Sequence, residues 1–378
     1  MASDAPSLEL PQFKGRPGWE FTDISGLHLA SYEPVTGPED AEPAEPLFDV
    51  PTSELPPGVI VTSIADAPPE LLGRLVADDD VFTMLNDSAE YRAGSFVYVP
   101  PGVALEQPIS LRTVQATAGT LLNQRTLIVL EQGADAEVWE QLLSGSEELD
   151  GVFNAVTELR LGEGAHLRYV CGQALSEKSW LFGAQRAEVG RDASLDWVAL
   201  GFGSGRGRVR METRLGGEGA EARVTGAYAT HGRQHIDFDT TQEHAAPNTT
   251  SDLAFRGVLQ GRSTAVWKGN IIVDPGAQKT DAFQESRNLL ISKRAHADAI
   301  PGLEIQANDV RCTHAAAVAQ VDPEQLFYLR SHGLGDDIAK QLVIEGFLEA
   351  LVERFEHGPV RERLAEALER RLELVLAG

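Results

Sequence analysis

The chain has 378 residues, 42% of them hydrophobic, with 57 acidic side chains against 32 basic ones and a formal charge of -25. That length and apolar content support a sizeable core and two or three domains. The charge denies phosphate backbones and anionic membrane surfaces the basic face they need, so neither nucleic acid nor membrane is an expected partner.

Two cysteines, Cys171 and Cys312, are too few for a disulfide framework and suit a reducing compartment. The opening MASDAPSLELPQFKG has no basic-then-apolar leader, and no run approaches the roughly 20 apolar residues of a membrane span, so a cytoplasmic location is expected. The sequons at Asn86 and Asn248 carry no weight there.

Residues 1–93 read as an N-terminal helical region with a Pro-rich acidic linker at 34–58. Trp19, Phe21, Leu27 and Leu29 surround GWEFTDISGL, where Thr22 or Asp23 is placed to cap a short helix. Pro34, Pro38, Pro43, Pro46, Pro51, Pro56 and Pro57 make the linker an extended segment or a loop wrapped on the surface. One or two helices are then expected, with Leu71, Leu72 and Leu75, and Phe82 and Leu85, at helical spacing.

Residues 94–321 read as β. Short segments rich in Val, Leu, Ile and Thr are broken by glycine turns, and one phrase recurs: LEQGADAEV, LGEGAHLRY, VGRDASLDW and LGGEGAEARV. Its alanines, Ala134, Ala165, Ala193 and Ala220, are 31, 28 and 27 residues apart (165-134, 193-165, 220-193). That period belongs to architectures that stack one coil on the next, and no helix of crossover length interrupts it. A β-solenoid is expected, ahead of a sandwich.

Residues 322–378 read as a C-terminal helical region. Asp322-Pro323-Glu324-Gln325 is a helix start and Gly333 a stop. Asp336 opens a longer helix whose Ile338, Leu342, Phe347, Leu348, Leu351 and Phe355 share one broad face. Gly358-Pro359 ends it, and Leu364, Leu368, Leu372 and Val375 form a stripe on the last helix.

Among chemical motifs, GFGSGRG is followed by the alternating strand RVRMETRL rather than a helix, which excludes a dinucleotide loop; no P-loop sequence occurs. His231 and His235 would stand about 13 Å apart on a strand and read as polar surface residues. Asp237 with Asp239, and Glu243 with His244, are acid-base pairs only if the fold joins them. Cys171 reads as a core thiol. In DVRCTHAAAVAQVD, Cys312 and His314 share one face of a strand, with Cα atoms about 6.6 Å apart, which suits one metal or cluster. Four ligands are usual, so either the rest come from another chain, or the site is transient and open, or this is a structural thiol beside an unrelated histidine.

The segment NIIVDPGAQKTDAFQESRNLLISKRAHADAIPGLEIQANDVRCTHAAAVAQVDPEQLFYLRSHGL closely resembles the signature of the SufB/SufD family of iron-sulfur cluster assembly proteins. FVYVPPGVALEQPI, GWEFTDISGL and HIDFDTTQEHAAPNTTSDLAFRGVL also look like family segments. The resemblance implies a right-handed parallel β-helix flanked by helical regions. Length, the N-terminal region and the Cys-Thr-His triplet side with the SufD subunit. A SufB cysteine thought to hold the nascent cluster would align with Ala295, so that ligand is missing here.

What the resemblance implies is a non-catalytic scaffold. It would pair with a SufB-like subunit as a heterodimer, or with itself, and share a transient iron-sulfur cluster at the interface. It would bind no nucleotide, dock a SufC-like ABC ATPase, and receive sulfur indirectly from a cysteine desulfurase system. His314 matches a histidine implicated in cluster formation or iron capture, and Cys312 the neighbouring cysteine. Leu326, Phe327, Tyr328, Leu329, Leu342 and Phe347 fall in the segment that docks the ATPase. Ala315 stands where the family commonly has glycine; a positive φ there would strain the strand. The alternatives are a SufB-like homodimeric scaffold, a stand-alone β-helix polysaccharide lyase or hydrolase, and a purely structural oligomerisation module.

Overall fold

The computed structural model describes residue 10 and residues 18–35, 41–43, 46–51, 54–88 and 93–377. In chain order its elements are β1 (Glu33–Pro34), β2 (Ile60–Ser63), α1 (Val81–Ser88), β3 (Ser95–Val99), β4 (Ile109–Gln115), β5 (Thr120–Leu130), β6 (Asp135–Ser144), β7 (Gly151–Leu161), β8 (His166–Ala174), β9 (Trp180–Val189), β10 (Ser194–Gly201), β11 (Arg206–Leu215), β12 (Glu221–Thr230), β13 (His235–His244), β14 (Thr250–Leu259), β15 (Thr264–Val273), β16 (Asp281–Leu290), β17 (His296–Ile305), β18 (Arg311–Gln320), α2 (Pro323–Ser331), α3 (Asp336–Val352) and α4 (Pro359–Ala377). Single 3-10 turns occupy Leu29–Ser31, Ile64–Asp66 and Pro69–Leu71.

Each strand from β5 onward pairs in parallel with the strand two further along, so odd strands build one sheet and even strands the other. The chain therefore winds as a parallel β-solenoid of about eight turns. The repeat period is the length of one coil: Ala134, Ala165, Ala193 and Ala220 each sit buried just before β6, β8, β10 and β12. A small side chain is needed where coil stacks on coil. The two later coils place Thr249 and Thr280 there instead, both buried, with Thr280 donating to the Ala277 carbonyl.

Inward-facing residues of both sheets fill the lumen with one continuous apolar core, including Phe153, Leu159, Trp197, Phe238, Phe255 and Trp267. Alternation along each strand sends the remaining side chains outward. On the odd sheet these are largely charged and paired: Arg186 with Glu212 and Glu243, Arg210 with Asp79, and Arg214 with Glu188 and Glu243.

The outer face of the even sheet carries ion-paired Arg168, Arg223 and Arg256 beside an apolar stripe, and that stripe is covered by the chain's own C-terminal helices. Leu364, Leu368, Leu372 and Val375 of α4 pack there with Ile344, Leu348 and Leu351 of α3 against Val170, Val198, Leu200 and Val258. The α4 stripe is thus intramolecular. The single face expected on α3 divides: Ile338 and Leu342 are exposed, while Leu348 and Leu351 are buried and Phe347 lies half-buried beneath the Arg256 guanidinium, 5.1 Å from its ring.

Upstream, the expected helix capped by Thr22 or Asp23 does not form. Thr22 is buried and donates instead to Asp237 Oδ2 at 2.6 Å, strapping its segment across the outer face of the odd sheet. Tertiary burial of that hydroxyl has overridden local capping. Of the helices expected after residue 68, the first is only the turn Pro69–Leu71, and the second is α1. Pro38 lies outside the described residues. Of the described part of the Pro-rich linker, Pro34 pairs with Leu121 of β5 in the odd sheet, whereas Leu47 and Phe48 lie on the even sheet, where their N–H groups donate to Gln141 Oε1 and Phe48 meets Trp139 edge-on.

Candidate functional site

Cys312 and His314 sit on β18, the last strand of the even sheet, in register with Ala282 and Gln284 of β16. Ala282 and Gln284 are buried and face the lumen. Cys312 follows them inward, half-buried against the small cluster of Ile271, Val273, Ala277 and Ala282. His314, two residues on, shares that face as the strand period requires, but no further coil lies over it and it is exposed. The site is the open mouth of the solenoid.

Burial, and then the Asp281 carboxylate, push the Cys312 thiol up from its ordinary value. It is a protonated thiol at neutral pH and must release its proton to ligate iron. Among the described residues no three His, Cys, Asp or Glu side chains converge as a metal set. A thiol and an imidazole are suitable donors for iron, but two donors do not complete a coordination shell.

The strain expected at Ala315 is absent. Among the described residues only Asp192, Ser204, Asn248 and Lys279 are non-glycine positions with positive φ, and β18 runs unbroken through Ala315, in register with Glu285. Ala295 is buried in the turn before β17.

Around the mouth, β17 and β18 are the terminal strands of their sheets and, among the described residues, pair with no strand on their outer sides. Ile300, Leu303, Ile305 and Val318 are exposed there. Of the six residues in the C-terminal segment, Phe327 and Tyr328 on α2 are 69% and 63% exposed and Leu342 on α3 is exposed, whereas Leu326 and Leu329 are half-buried and Phe347 is turned to its own solenoid.

Other candidates resolve differently. Glu243 and His244, being adjacent on β13, point to opposite faces. Glu243 pairs with Arg186 and Arg214 outside, and His244 lies in the lumen between Thr249 and Ser251 hydroxyls, its pKa lowered by burial to about 4. Asp237 and Asp239 do share a face, and both meet Arg208, at 3.7 and 3.3 Å. His231 is in a turn, 2.5 Å from Glu177. His235 is half-buried: it bonds Thr264 at 2.7 Å, and burial lowers its pKa to about 4.

Cys171 is a lumen thiol, pushed well up by burial and then by Glu140, its register neighbour. Glu140 itself had no signal in the sequence. It is fully buried, accepting from Thr126 at 2.5 Å, Gln124 at 3.0 Å and the Tyr169 hydroxyl, and its pKa is raised by desolvation. It is a satisfied core polar group whose partners come from two other strands, β5 and β8.

The profile described as "SUF system FeS cluster assembly, SufBD core domain" matches residues 113–347. The chain is similar to the iron-sulfur cluster assembly protein SufD of Bacillus subtilis, 28% identical over 98% of this chain and 91% of that protein. A SufBD family iron-sulfur cluster assembly protein of Mycobacterium tuberculosis is likewise 28% identical over 98% and 91%. One from Mycobacterium leprae is 35% identical over half of each chain. None of these names carries a catalytic activity. No described helix is long and apolar enough to cross a membrane.

Proposed function

This chain belongs to the SufBD family of the SUF iron-sulfur cluster assembly system, and on that premise we propose that it is a SufD-like, non-catalytic scaffold subunit of a cytoplasmic assembly complex. It pairs with a SufB-like subunit at the open end of the solenoid, shares a nascent cluster across that interface, and docks a SufC-like ABC ATPase through its C-terminal helices.

The observation that carries the reading is the uncovered terminal coil. Two edge strands with unpaired main-chain groups, and an apolar rim of Ile300, Leu303, Ile305 and Val318, are a liability that a lone protein normally covers. The half-set of donors lies in the same place. His314 offers a solvent-accessible imidazole nitrogen to incoming iron, and Cys312 adds a thiolate once its proton is displaced. A partner chain would complete the shell, so the site is empty of function until the interface forms.

Support for ATPase docking is narrower. Phe327, Tyr328, Ile338 and Leu342 are large apolar side chains left in solvent on α2 and the first turns of α3, where Leu326 and Leu329 are only half-buried. Nucleotide hydrolysis then belongs to the partner, and sulfur arrives from a cysteine desulfurase system. The family assignment favours this reading over a polysaccharide-degrading β-helix.

The test is co-purification with SufB- and SufC-like proteins of the same cell, followed by anaerobic reconstitution of the three-protein complex. Retention of both partners and growth of visible cluster absorption are expected. Loss of either partner removes the corresponding interface, and a self-dimer that excludes the SufB-like chain supports the homodimeric scaffold instead.

A further inference from the structure

The two edges of the solenoid, where the chain turns from one sheet to the other, differ in charge. Turns leading from odd to even strands carry mainly acids, among them Glu131, Glu163, Glu218, Asp274 and Asp309. On the even-to-odd edge, the β6–β7 turn carries Glu147, Glu148 and Asp150, but the turns before β9, β13, β15 and β17 carry cations. Lys178, Arg233, Arg262 and Arg294 each stand two residues before the first residue of β9, β13, β15 and β17; Arg206 opens β11, and Lys293 adjoins Arg294.

The register stacks these turns. Arg206 is in register with Trp180 and His235, His235 with Thr264, and Thr264 with His296. Neighbouring parallel strands are about 4.8 Å apart, so five coils place a row of cations along roughly 19 Å of one edge. All six are exposed.

Elsewhere on this strongly acidic protein the arginines of the odd sheet are neutralised by carboxylates. On this edge Lys178 pairs with Glu148, and Arg206 lies 3.9 Å from Asp23. Among the described residues no carboxylate lies within ion-pair distance of Arg233, Arg262, Lys293 or Arg294; the nearby acids Glu177 and Asp298 pair with His231 and His296. The first rungs also line a recess of about 290 Å³ floored by Trp180, over whose ring the Arg206 guanidinium sits at 5.4 Å.

We infer that this edge is a docking strip for an extended acidic segment of a partner protein. Several exposed cations without counter-charges, held at a fixed repeat on a rigid scaffold, attract and align carboxylates. The flanking Glu147, Glu148 and Glu177, together with the -25 charge of the chain, repel a long polyanion, so a short acidic segment fits better than nucleic acid. The last rung, Lys293 and Arg294, lies in the turn that enters β17, beside the pairing surface proposed above, but the other four rungs, Lys178 to Arg262, lie on earlier coils, so binding along them does not depend on that pairing.

The test is fluorescence anisotropy with the full chain and a labelled peptide of about ten residues, its glutamates at alternate positions so that they lie on one side of an extended chain. Saturable binding is expected, weakening about tenfold or more as salt rises from about 50 to about 300 mM. Arg233→Glu with Arg262→Glu should weaken it a further tenfold or so, whereas Lys279→Asp on the opposite edge, where aspartate tolerates the positive φ, should leave it unchanged. Equal binding of a glutamine version of the peptide, or equal binding by the double variant, overturns the inference. So does an absence of saturable binding. An oligothymidylate that displaces the peptide at lower concentration than unlabelled peptide does would reassign the strip to nucleic acid.

Discussion

Replacing Asp237 by asparagine separates the electrostatic strain of the N-terminal strap from its hydrogen bonding. Asp237 is almost wholly buried under residues 18–27, where it accepts from Thr22 at 2.6 Å and lies 3.7 Å from Arg208, whose guanidinium in turn covers Trp19 at 4.9 Å. Burial is the largest influence on its carboxyl and raises its pKa from 3.8 to about 6, against the pull of Arg208 and Thr22. A carboxyl whose folded pKa lies above its unfolded one holds its proton more firmly in the native state. Its stabilising contribution is therefore complete below about pH 4 and is lost as pH rises through about 6. The two-unit gap corresponds to about 3 kcal/mol as an order of magnitude.

Asparagine keeps an acceptor for Thr22 and cannot ionise. Urea unfolding of both proteins at about pH 4 and about pH 7.5 should show the variant gaining on the wild type by about 2–3 kcal/mol between the two conditions. A difference between the proteins that stays constant with pH within about 0.5 kcal/mol would show that Asp237 titrates normally, and the account of the strap would fail.

Three further outcomes follow from particular contacts. Gly203→Ala would drive a Cβ to 2.2 Å from the Leu175 main-chain N and O, in a turn where coils touch backbone to backbone; a loss of about 1–3 kcal/mol in chemical denaturation is expected, and a neutral result would mean that the turns are looser than described. Tyr328→Asp together with Phe327→Asp alters side chains already in solvent, so thermal stability should hold within about 0.5 kcal/mol while co-purification of the ATPase is lost; retained ATPase would move its docking site elsewhere. His314→Ala should leave folding and partner retention intact yet slow the rise of visible absorption in the reconstituted complex, and an unchanged rate would remove His314 from cluster assembly.

Much of the architecture was legible along the chain because it is a local and repeated property. Glycine-alanine turns at 31, 28 and 27 residues mark the coil length directly. Alternation on a strand likewise places Cys312 and His314 on one face without knowledge of the fold, and the Asp322 cap is made by neighbours, its carboxylate accepting from Glu324 N at 2.8 Å. The helix starts at Pro323 and Asp336, and the break at Gly358-Pro359, were similarly written in caps and breakers.

Contacts across long separations were not legible. Thr22 and Asp237 are 215 residues apart, and only the strap's path makes a capping hydroxyl into a buried donor. Which face of a C-terminal helix stays bare depends on where the even sheet ends beneath it, so Leu348 is covered while Leu342 is not. The row of cations is invisible in sequence because its members stand 27 to 32 residues apart and become neighbours only when coils stack in register (206-178, 233-206, 262-233, 294-262 give 28, 27, 29 and 32). The period of the chain sets the coil and the identity of each rung. Stacking at strand spacing decided what each rung touches, because that spacing brings distant residues within reach of one another and leaves the last coil, with Cys312 and His314, open to solvent.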